Sequence, residues 1–355
     1  MKKLFFTMLV LCSAVVAKAD NESLTAILQH GETASVFKGS TAFKEAAAAA
    51  DDGDVITLSA GSFVGDCNIM KSVSIYGAGF EEDAEAGTEV TQIAGPLYVG
   101  PSLDDDNAIS NIHFEGVYIK ESLNLGKIMS GNVRAVSNVT ISKCKIDGTI
   151  SLSSEEMEQV NIDNTVIAQV ESSNGKVVKN IYIRNSYISN KVYGFSVESQ
   201  GLIDHCILGG YYSRDDADAQ FRFTNCIFVS TASYSNSNYP IYHNSIGSNL
   251  DHCIYNLKRI GGYYGIALRT ANTVVKDCVE VSYDEVFADA TDAKYSSTRT
   301  FELLKPEEWI GTDGTEIGIR GGEGWNKVPR TPVVKNLQLN VDGKTLKVSY
   351  DAAVR

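Results

Sequence analysis

A short sequence motif recurs along the chain roughly every 20 to 28 residues, a period typical of stacked repeats. In each copy an apolar residue stands three positions before a small anchor residue, and another apolar residue usually stands two positions after it. A unit of this length cannot bury its apolar face alone, so the copies must stack on one another. The repeat therefore predicts a solenoid. Its anchors are Gly116, Cys144, Thr165, Ser186, Cys206, Cys226, Cys253 and Cys278.

The composition of the repeat indicates which kind of solenoid forms. Copies such as "NVTISKCKI" and "IYIRNSYI" alternate apolar with polar residues and are rich in Val, Ile and Thr, a pattern typical of strands. Leucine-rich repeats have a similar period, but these copies lack their leucine spacing and their helical segment. We expect an all-β fold, a right-handed parallel β-helix solenoid with an N-terminal helical cap and a C-terminal β-hairpin.

The residue before each anchor explains two triplets that look like metal sites. Asp204-His205-Cys206 and Asp251-His252-Cys253 each place an acid, a histidine and a cysteine side by side. The equivalent position in other copies is mostly Asn or Asp, the types best tolerated with a left-handed backbone. We therefore predict tight corners there and interpret the histidines as corner residues rather than metal ligands. The predicted corners are Glu115, Lys143, Asn164, Asn185, His205, Asn225, His252 and Asp277.

The cysteines follow the same pattern. The chain after position 19 has six of them, and five of these are anchors. In-register side chains on stacked parallel strands point the same way rather than at each other, which disfavours disulfide geometry. We expect mostly free, unreactive thiols in the core.

Residues 1–19 have the features of a secretory signal peptide: two lysines, a short apolar run and Ala17-Lys18-Ala19 as a cleavage site. Their removal would delete three lysines and no acid, leaving 28 basic and 44 acidic residues and a net charge of −16. This charge disfavours nucleic acid as a partner. We predict a secreted monomer in the periplasm, at the cell surface or outside the cell, with no transmembrane segment.

The remaining chain divides into three parts. Residues 20–37 are a lead-in, residues 38–328 form the parallel β-helix with its N-terminal cap, and residues 329–355 form a hairpin segment. Ser40 or Thr41 can begin a helix through the alanine run, and Gly53 can end it. The alternating residues around the Asp342-Gly343 turn predict the hairpin.

The chain resembles the right-handed parallel β-helix, or pectin lyase-like, superfamily over about residues 38–325. The resemblance rests on "AAAAADDGDVITLSAGSF", on "SVSIYGAGF" and on the corner residues Asn164, Asn185 and Asn225. The segments "VFADA" and "IGTDGTEIGIRGG" resemble the ends of β-helix domains in secreted Bacteroidetes proteins. The resemblance implies a fold but no catalytic family, because this superfamily includes lyases, hydrolases, esterases and adhesins. Motifs of the polygalacturonase-like hydrolases and of the pectate lyases are not recognisable in the chain.

Tyrosines are concentrated between positions 182 and 264, which hold 11 of the 17 in the chain. Exposed tyrosines stack on sugar faces and donate hydrogen bonds at little entropic cost. We predict that the chain binds an extracellular or cell-surface polysaccharide without catalysis. The alternative is a structural or adhesive module whose tyrosines close the flanks of the solenoid. The predicted binding residues are Tyr211, Tyr212, Tyr239, Tyr242, Tyr263 and Tyr264.

An enzyme is the competing hypothesis. Asp215 and Asp216, close to Arg222, suit the acid and base of a glycoside hydrolase. Arg259 suits the base of a polysaccharide lyase that uses calcium. The favoured interpretation of these residues is solvated loop tips. We expect no cofactor, and calcium at the acidic run Asp104, Asp105 and Asp106 is an open alternative.

Overall fold

A computed structural model of the chain describes most of the repeat region and the segments that flank it. No helix among the described residues is long and apolar enough to cross a membrane. The described residues are 24–83, 89–102, 108–154, 156–172, 176–196, 198–209, 211–212, 220–229, 241–242, 249–255, 274–290, 293–330, 333–342 and 345–353.

Strands dominate the described chain. The N-terminal elements are β1 (Thr25–His30), β2 (Thr33–Lys38), α1 (Ala42–Ala49), β3 (Val55–Leu58), β4 (Gly61–Val64), β5 (Cys67–Ile69), β6 (Ser74–Tyr76), β7 (Thr91–Ala94) and β8 (Leu97–Val99). The central strands are β9 (Ile109–Glu115), β10 (Tyr118–Ile119), β11 (Leu123–Leu125), β12 (Val136–Ser142), β13 (Lys145–Leu152), β14 (Glu156–Asp163), β15 (Val166–Ser172), β16 (Val177–Arg184) and β17 (Tyr187–Tyr193). Next come β18 (Gln200–Asp204), β19 (Ile207–Leu208), β20 (Tyr211–Tyr212), β21 (Gln220–Thr224), β22 (Ile227–Phe228), β23 (Ile241–Tyr242), β24 (Asn249–Asp251), β25 (Ile254–Tyr255), β26 (Val274–Lys276) and β27 (Val279–Glu280). The last two strands are β28 (Val333–Asp342) and β29 (Thr345–Ala353).

The strands of the repeat region form three parallel rows, so the expectation of an all-β parallel solenoid is confirmed. Face 1 consists of β3, β6, β9, β12, β14, β16, β18, β21, β24 and β26. Face 2 consists of β4, β7, β10, β13, β15, β17, β19, β22, β25 and β27. Face 3 consists of β5, β8 and β11, the second halves of β13, β15 and β17, and then β20 and β23.

The core lies inside the coils and is built from residues in register. Alternation along each strand sends every second side chain inward, and stacking places like residues above one another. One inward row of face 1 is at most 1% exposed throughout. Burying each such side chain contributes about 1.5–3 kcal/mol. This row contains Ile56, Ile75, Phe114, Ile141, Ile162, Ile183, Ile203, Phe223 and Leu250.

A left-handed corner joins face 1 to face 2 in successive coils, as the repeat predicts. Lys143, Asn164, Asn185, His205, Asn225, His252 and Asp277 all have φ between 40° and 54°. The anchor after each corner turns inward and donates a hydrogen bond to the carbonyl two residues before it, as Ser186 does at 2.7 Å and Cys206 at 3.2 Å. This contact explains why Ser, Thr and Cys interchange at the anchors: each is small and carries one donor.

The first corner lies one residue later than predicted. Tyr118 pairs with Lys145, so Val117 is equivalent to the anchor Cys144 and Gly116 to the corner Lys143. Gly116 has φ 71°, whereas Glu115 ends β9 and pairs with Ser142. The assignment of Glu115 as a corner and Gly116 as an anchor was wrong, because glycine fits both the small anchor and the positive φ of a corner.

Face 1 contains a second row of left-handed residues that the repeat does not predict. These residues occupy equivalent positions on four successive coils, and the ladder of paired residues skips them without a shift of register. The side-chain amide of Asn138 donates to the side-chain carbonyl oxygen of Asn111 on the coil below. The row consists of Asn111, Asn138, Gln159 and Asn180, with φ between 49° and 59°.

The helix and the first two strands precede the coils. Strand β1 pairs antiparallel with β3, and β2 pairs antiparallel with β1, so most of the predicted lead-in is part of the sheet of face 1. Helix α1 packs on strands β1 to β5 through Ala42, Phe43, Ala46 and Ala47. The helix ends at Ala49, before the predicted Gly53, because Ala50 is already extended.

Face 2 differs from the other faces because the outer surface of its later coils, from β15 to β25, is apolar and covered. The outward residues Val166, Tyr187, Ile207, Ile227 and Ile254 are buried outside the coils. Residues 281–290 and 293–309 provide most of the cover, which forms a second hydrophobic cluster. Its members from this segment are Val281, Val286, Phe287, Ala293, Phe301, Leu303 and Trp309.

Residues 310–330, called the strap below, then run back along the row of corners. The amide N–H of Thr312 donates to Asn225 at 2.7 Å, and further along Asn185 donates to the carbonyl of Gly321 at 2.7 Å. At its far end the N–H of Arg330 donates to Glu115 at 2.6 Å. Between these points the strap contacts His205, Asn164 and Lys143. The chain thus returns to an early coil, and the antiparallel pair β28 and β29 follows from there.

The corner contacts predict a measurable contribution of the strap to stability. Asn225→Ala should lower the free energy of unfolding by roughly 2–4 kcal/mol, because alanine strains the left-handed backbone and leaves the Thr312 N–H without its acceptor. The midpoint of urea denaturation measures this change. Asn138→Ala is the matched control, since Asn138 has the same backbone conformation and its side chain contacts Asn111 instead of the strap. Equal shifts for the two variants would show that the strap bond contributes nothing.

The prediction that the cysteines are free is confirmed, and their low reactivity is testable. Cys67, Cys144, Cys206, Cys226, Cys253 and Cys278 are all free, and only Cys278 among them is partly exposed. Burial raises the pKa of Cys67 and of Cys144 to about 12. At pH 8 their thiolate fraction is therefore on the order of one in ten thousand. In native protein iodoacetamide should alkylate Cys278 first and leave the buried five, and a disulfide in unreduced intact protein would contradict this.

Candidate functional site

The outer surface of face 3 carries an in-register row of tyrosines and polar residues. Alternation is clear from β5 to β17, where inward residues such as Leu97 and Val192 are fully buried and the residue after each is outward. The coils lie about 4.8 Å apart, so consecutive outward residues are neighbours. The face 3 outer row consists of Asn68, Tyr98, Asn124, Ser151, Glu171 and Tyr193, and it continues by backbone register at Tyr212 and Tyr242.

In this row, Tyr193 has contacts at both its hydroxyl and its ring. Its hydroxyl donates to the carboxylate of Glu171 on the coil below. The ammonium of Lys191 lies 4.3 Å from the ring centroid, a cation–π contact that orients the ring. Gln169 donates to Glu171 at 3.0 Å and accepts from Asn190 at 3.1 Å. The Tyr193 ring is therefore fixed in orientation and lies beside a network of amide and carboxylate groups.

The structure places two predicted binding tyrosines in this row. Tyr212 pairs with Tyr193, and Tyr242 pairs with Tyr212, so three successive coils carry tyrosine at one register position. Tyr211 is in register with Val192 and Ile241, one position away from the row. The predicted residues Tyr239, Tyr263 and Tyr264 lie outside the described residues.

Of the predicted catalytic residues, Arg222 lies away from face 3. Arg222 lies in β21 on face 1, where it pairs with Leu202 and Asn249. Asp215, Asp216 and Arg259 lie outside the described residues, as does the acidic run Asp104, Asp105 and Asp106. Of the residues proposed for catalysis, the described part of the chain therefore positions Arg222 alone.

Arg222 borders a shallow groove on the outer surface of face 1. The groove has a volume of about 360 Å³. Its rim is rich in amide side chains, and Tyr182 contributes an exposed ring. Such groups can form hydrogen bonds with a neutral ligand, but no carboxylate is among the described residues that line the groove. These residues are Asn180, Tyr182, Gln200, Gly201, Leu202, Phe221, Arg222 and Asn249.

The nearest acidic partner of Arg222 in the described chain is Asp251, at 3.8 Å on the adjacent coil. Desolvation acts to raise the pKa of Asp251, but the hydrogen bond from His252 and the ammonium of Lys276 outweigh it and hold that pKa below its ordinary value. Asp251 is thus ionised near neutral pH. A general acid in glycoside hydrolysis requires the opposite shift, so Asp251 does not suit that role.

The sequence pattern missed Tyr98, Asn124, Glu171 and Tyr193 as members of the face 3 outer row. The spacing from anchor to row is irregular, because β13 and β17 each have one more residue than β15 between faces 2 and 3. Tyr193 lies seven residues after Ser186, whereas Tyr212 lies six residues after Cys206. Counting a constant number of residues from each anchor therefore does not locate the row. The local clustering of tyrosines is the sequence signal for it.

Comparison of the chain with protein-family models, with curated proteins and with solved structures found no match.

Proposed function

We propose that this chain is an exported protein that binds a neutral polysaccharide along the face 3 outer row, without catalysis. The observation that carries the proposal is the register of Tyr193, Tyr212 and Tyr242 on three successive coils. Export is supported by the signal-peptide features of residues 1–19.

The spacing of the row supports a polymeric ligand. Coils repeat about every 4.8 Å, a distance similar to the length of one sugar residue in an extended glycan. Tyrosine offers a rigid face for stacking on the apolar side of a sugar ring and a hydroxyl for its polar edge. Asn124 and Glu171 continue the row with groups that accept hydrogen bonds from sugar hydroxyls.

The charge of the chain favours a neutral glycan over a polyuronate. Without residues 1–19 the net charge is −16, and Glu171 contributes a carboxylate within the row itself. A polyanion would be repelled by this field, while an uncharged polysaccharide would not.

We also propose the finer details of the architecture. The coil is right-handed, since parallel crossovers almost always are. Helix α1 with β1 and β2 acts as a cap that covers the first coil, as a solenoid end requires. The fold resembles the pectin lyase-like superfamily, and the corner residues Asn164, Asn185 and Asn225 support this placement.

Glycan binding is testable with matched tyrosine variants. Affinity electrophoresis against a panel of neutral plant, algal and host polysaccharides should find retardation by at least one of them. Tyr193→Ala should then weaken binding about 5- to 10-fold, because a stacked aromatic contributes about 1 kcal/mol or slightly more. Tyr182→Ala separates the two candidate surfaces, since Tyr182 is an exposed tyrosine on face 1 that lines the groove beside Arg222. Equal affinities for both variants, or no ligand in the panel, would refute the proposal.

The absence of catalysis is a separate prediction. Purified chain incubated with the same panel and with calcium should release no new reducing ends, because Arg222 lies on face 1 and Asp251 is held by His252 and Lys276. A reducing-sugar assay over several days measures this. Release of reducing ends from a single polysaccharide would show that the chain is an enzyme. Arg222→Ala would then test whether the groove on face 1 is the active site.

A further inference from the structure

The two Asp-His-Cys triplets have different surroundings in the folded chain. In the first, the His205 ring is buried beneath the strap and both ring nitrogens have partners. Nδ1 lies 3.2 Å from the carbonyl oxygen of Gly318. Nε2 lies 3.2 Å from the carboxylate of Asp313 and 3.1 Å from the side-chain amide of Asn225. This histidine holds the strap in place.

In the described part of the chain the strap contacts extend along the corners as far as Asn225, and the second triplet lies one coil further on. His252 keeps about a quarter of its side chain exposed, and its Nδ1 lies 2.7 Å from the carboxylate of Asp251. The corner on the next coil is Asp277, whereas the corner above His205 is Asn225. A second carboxylate therefore stands where the first triplet has an amide.

The corner geometry brings these groups together. Asp251 pairs with Lys276, so His252 and Asp277 are equivalent corners on adjacent coils, each with φ 50°. The ligand atoms of Asp251, His252 and Asp277 all lie within 4.8 Å of one another. Cys253 is the inward anchor and contributes nothing outside the coil. The cluster thus combines two residues of the triplet with one residue from the next coil.

We propose that Asp251, His252 and Asp277 bind one divalent transition-metal ion of the zinc class. One imidazole nitrogen and two carboxylate oxygens match the ligands and the number that an open zinc site uses, with water at the fourth position. The imidazole favours zinc and its neighbours over calcium and magnesium, which prefer all-oxygen sites. In a tetrahedral site the ligand atoms are about 3.3 Å apart, so small side-chain rotations would suffice.

Two nearby cations limit the affinity. The ammonium of Lys276 lies 3.6 Å from a carboxylate oxygen of Asp251 and 3.6 Å from one of Asp277. Arg222 lies 3.8 Å from Asp251. Both basic side chains are about 60% exposed and can turn into solvent when the metal binds. Their competition implies that removal of Lys276 strengthens metal binding.

The corners provide conservative test variants. Asn occupies equivalent corners at positions 164, 185 and 225 with the same left-handed backbone. His252→Asn and Asp277→Asn should therefore keep the fold, which circular dichroism would verify. Glu280→Gln removes one negative charge on the coil of Asp277 and outside the cluster, so it controls for general electrostatics.

Calorimetric titration of the purified full chain with Zn²⁺ tests the proposal. We expect one ion per chain, at least tenfold weaker binding in His252→Asn and Asp277→Asn, no change in Glu280→Gln and tighter binding in Lys276→Gln. Wild-type chain should bind Ca²⁺ much more weakly than Zn²⁺. No stoichiometric Zn²⁺ binding, or equal affinity of wild type and His252→Asn, would overturn the proposal. Polysaccharide binding should be unaffected in these variants, so the two proposals succeed or fail separately.

Discussion

The left-handed corner between faces 1 and 2 is the constraint on which the rest of the structure depends. The chain must bend sharply from face 1 to face 2 within one residue in each coil. Only a residue that tolerates positive φ allows this without strain. The corner sets the register, because the anchor after it turns inward and bonds the carbonyl two residues earlier. Like residues then stack on like residues. The isoleucine row of face 1 and the thiols of the core both follow from this repetition.

The corners also organise the outside of the solenoid. Their side chains point away from the core. Five of them, together with Glu115 beside the first corner, provide hydrogen-bonding groups or charges along which the strap lies. The strap and residues 281–290 and 293–309 cover the apolar outer surface of the later coils of face 2, which would otherwise contact water. Faces 1 and 3 are left with polar outer rows. The division between a covered face and two polar faces explains why the candidate binding surfaces lie where they do.

Much of the architecture was predictable because repetition amplifies a weak local signal. Asn185 alone says little, but Asn, Asp or His at most of eight equivalent positions indicates a corner. The same logic identified Cys206 and Cys226 as core residues. The error at Gly116 arose because glycine suits both a small anchor and a corner with positive φ. The row of Asn111, Asn138, Gln159 and Asn180 was missed because a left-handed residue within a strand does not follow from hydrophobic alternation. The face 3 outer row was missed in part because the bend between faces 2 and 3 varies in length.

The sequence by itself determined the parallel solenoid, all but the first of its corner positions and its free thiols, since these depend on local pattern repeated in register. Only the tertiary structure decided the course of the strap, the covering of face 2 and the register that aligns Tyr193 with Tyr212. It also separated the two Asp-His-Cys triplets, one buried beneath the strap and one beside a second carboxylate. Those outcomes depend on contacts between residues far apart in the chain, and no local pattern encodes which of two identical triplets a distant segment will cover.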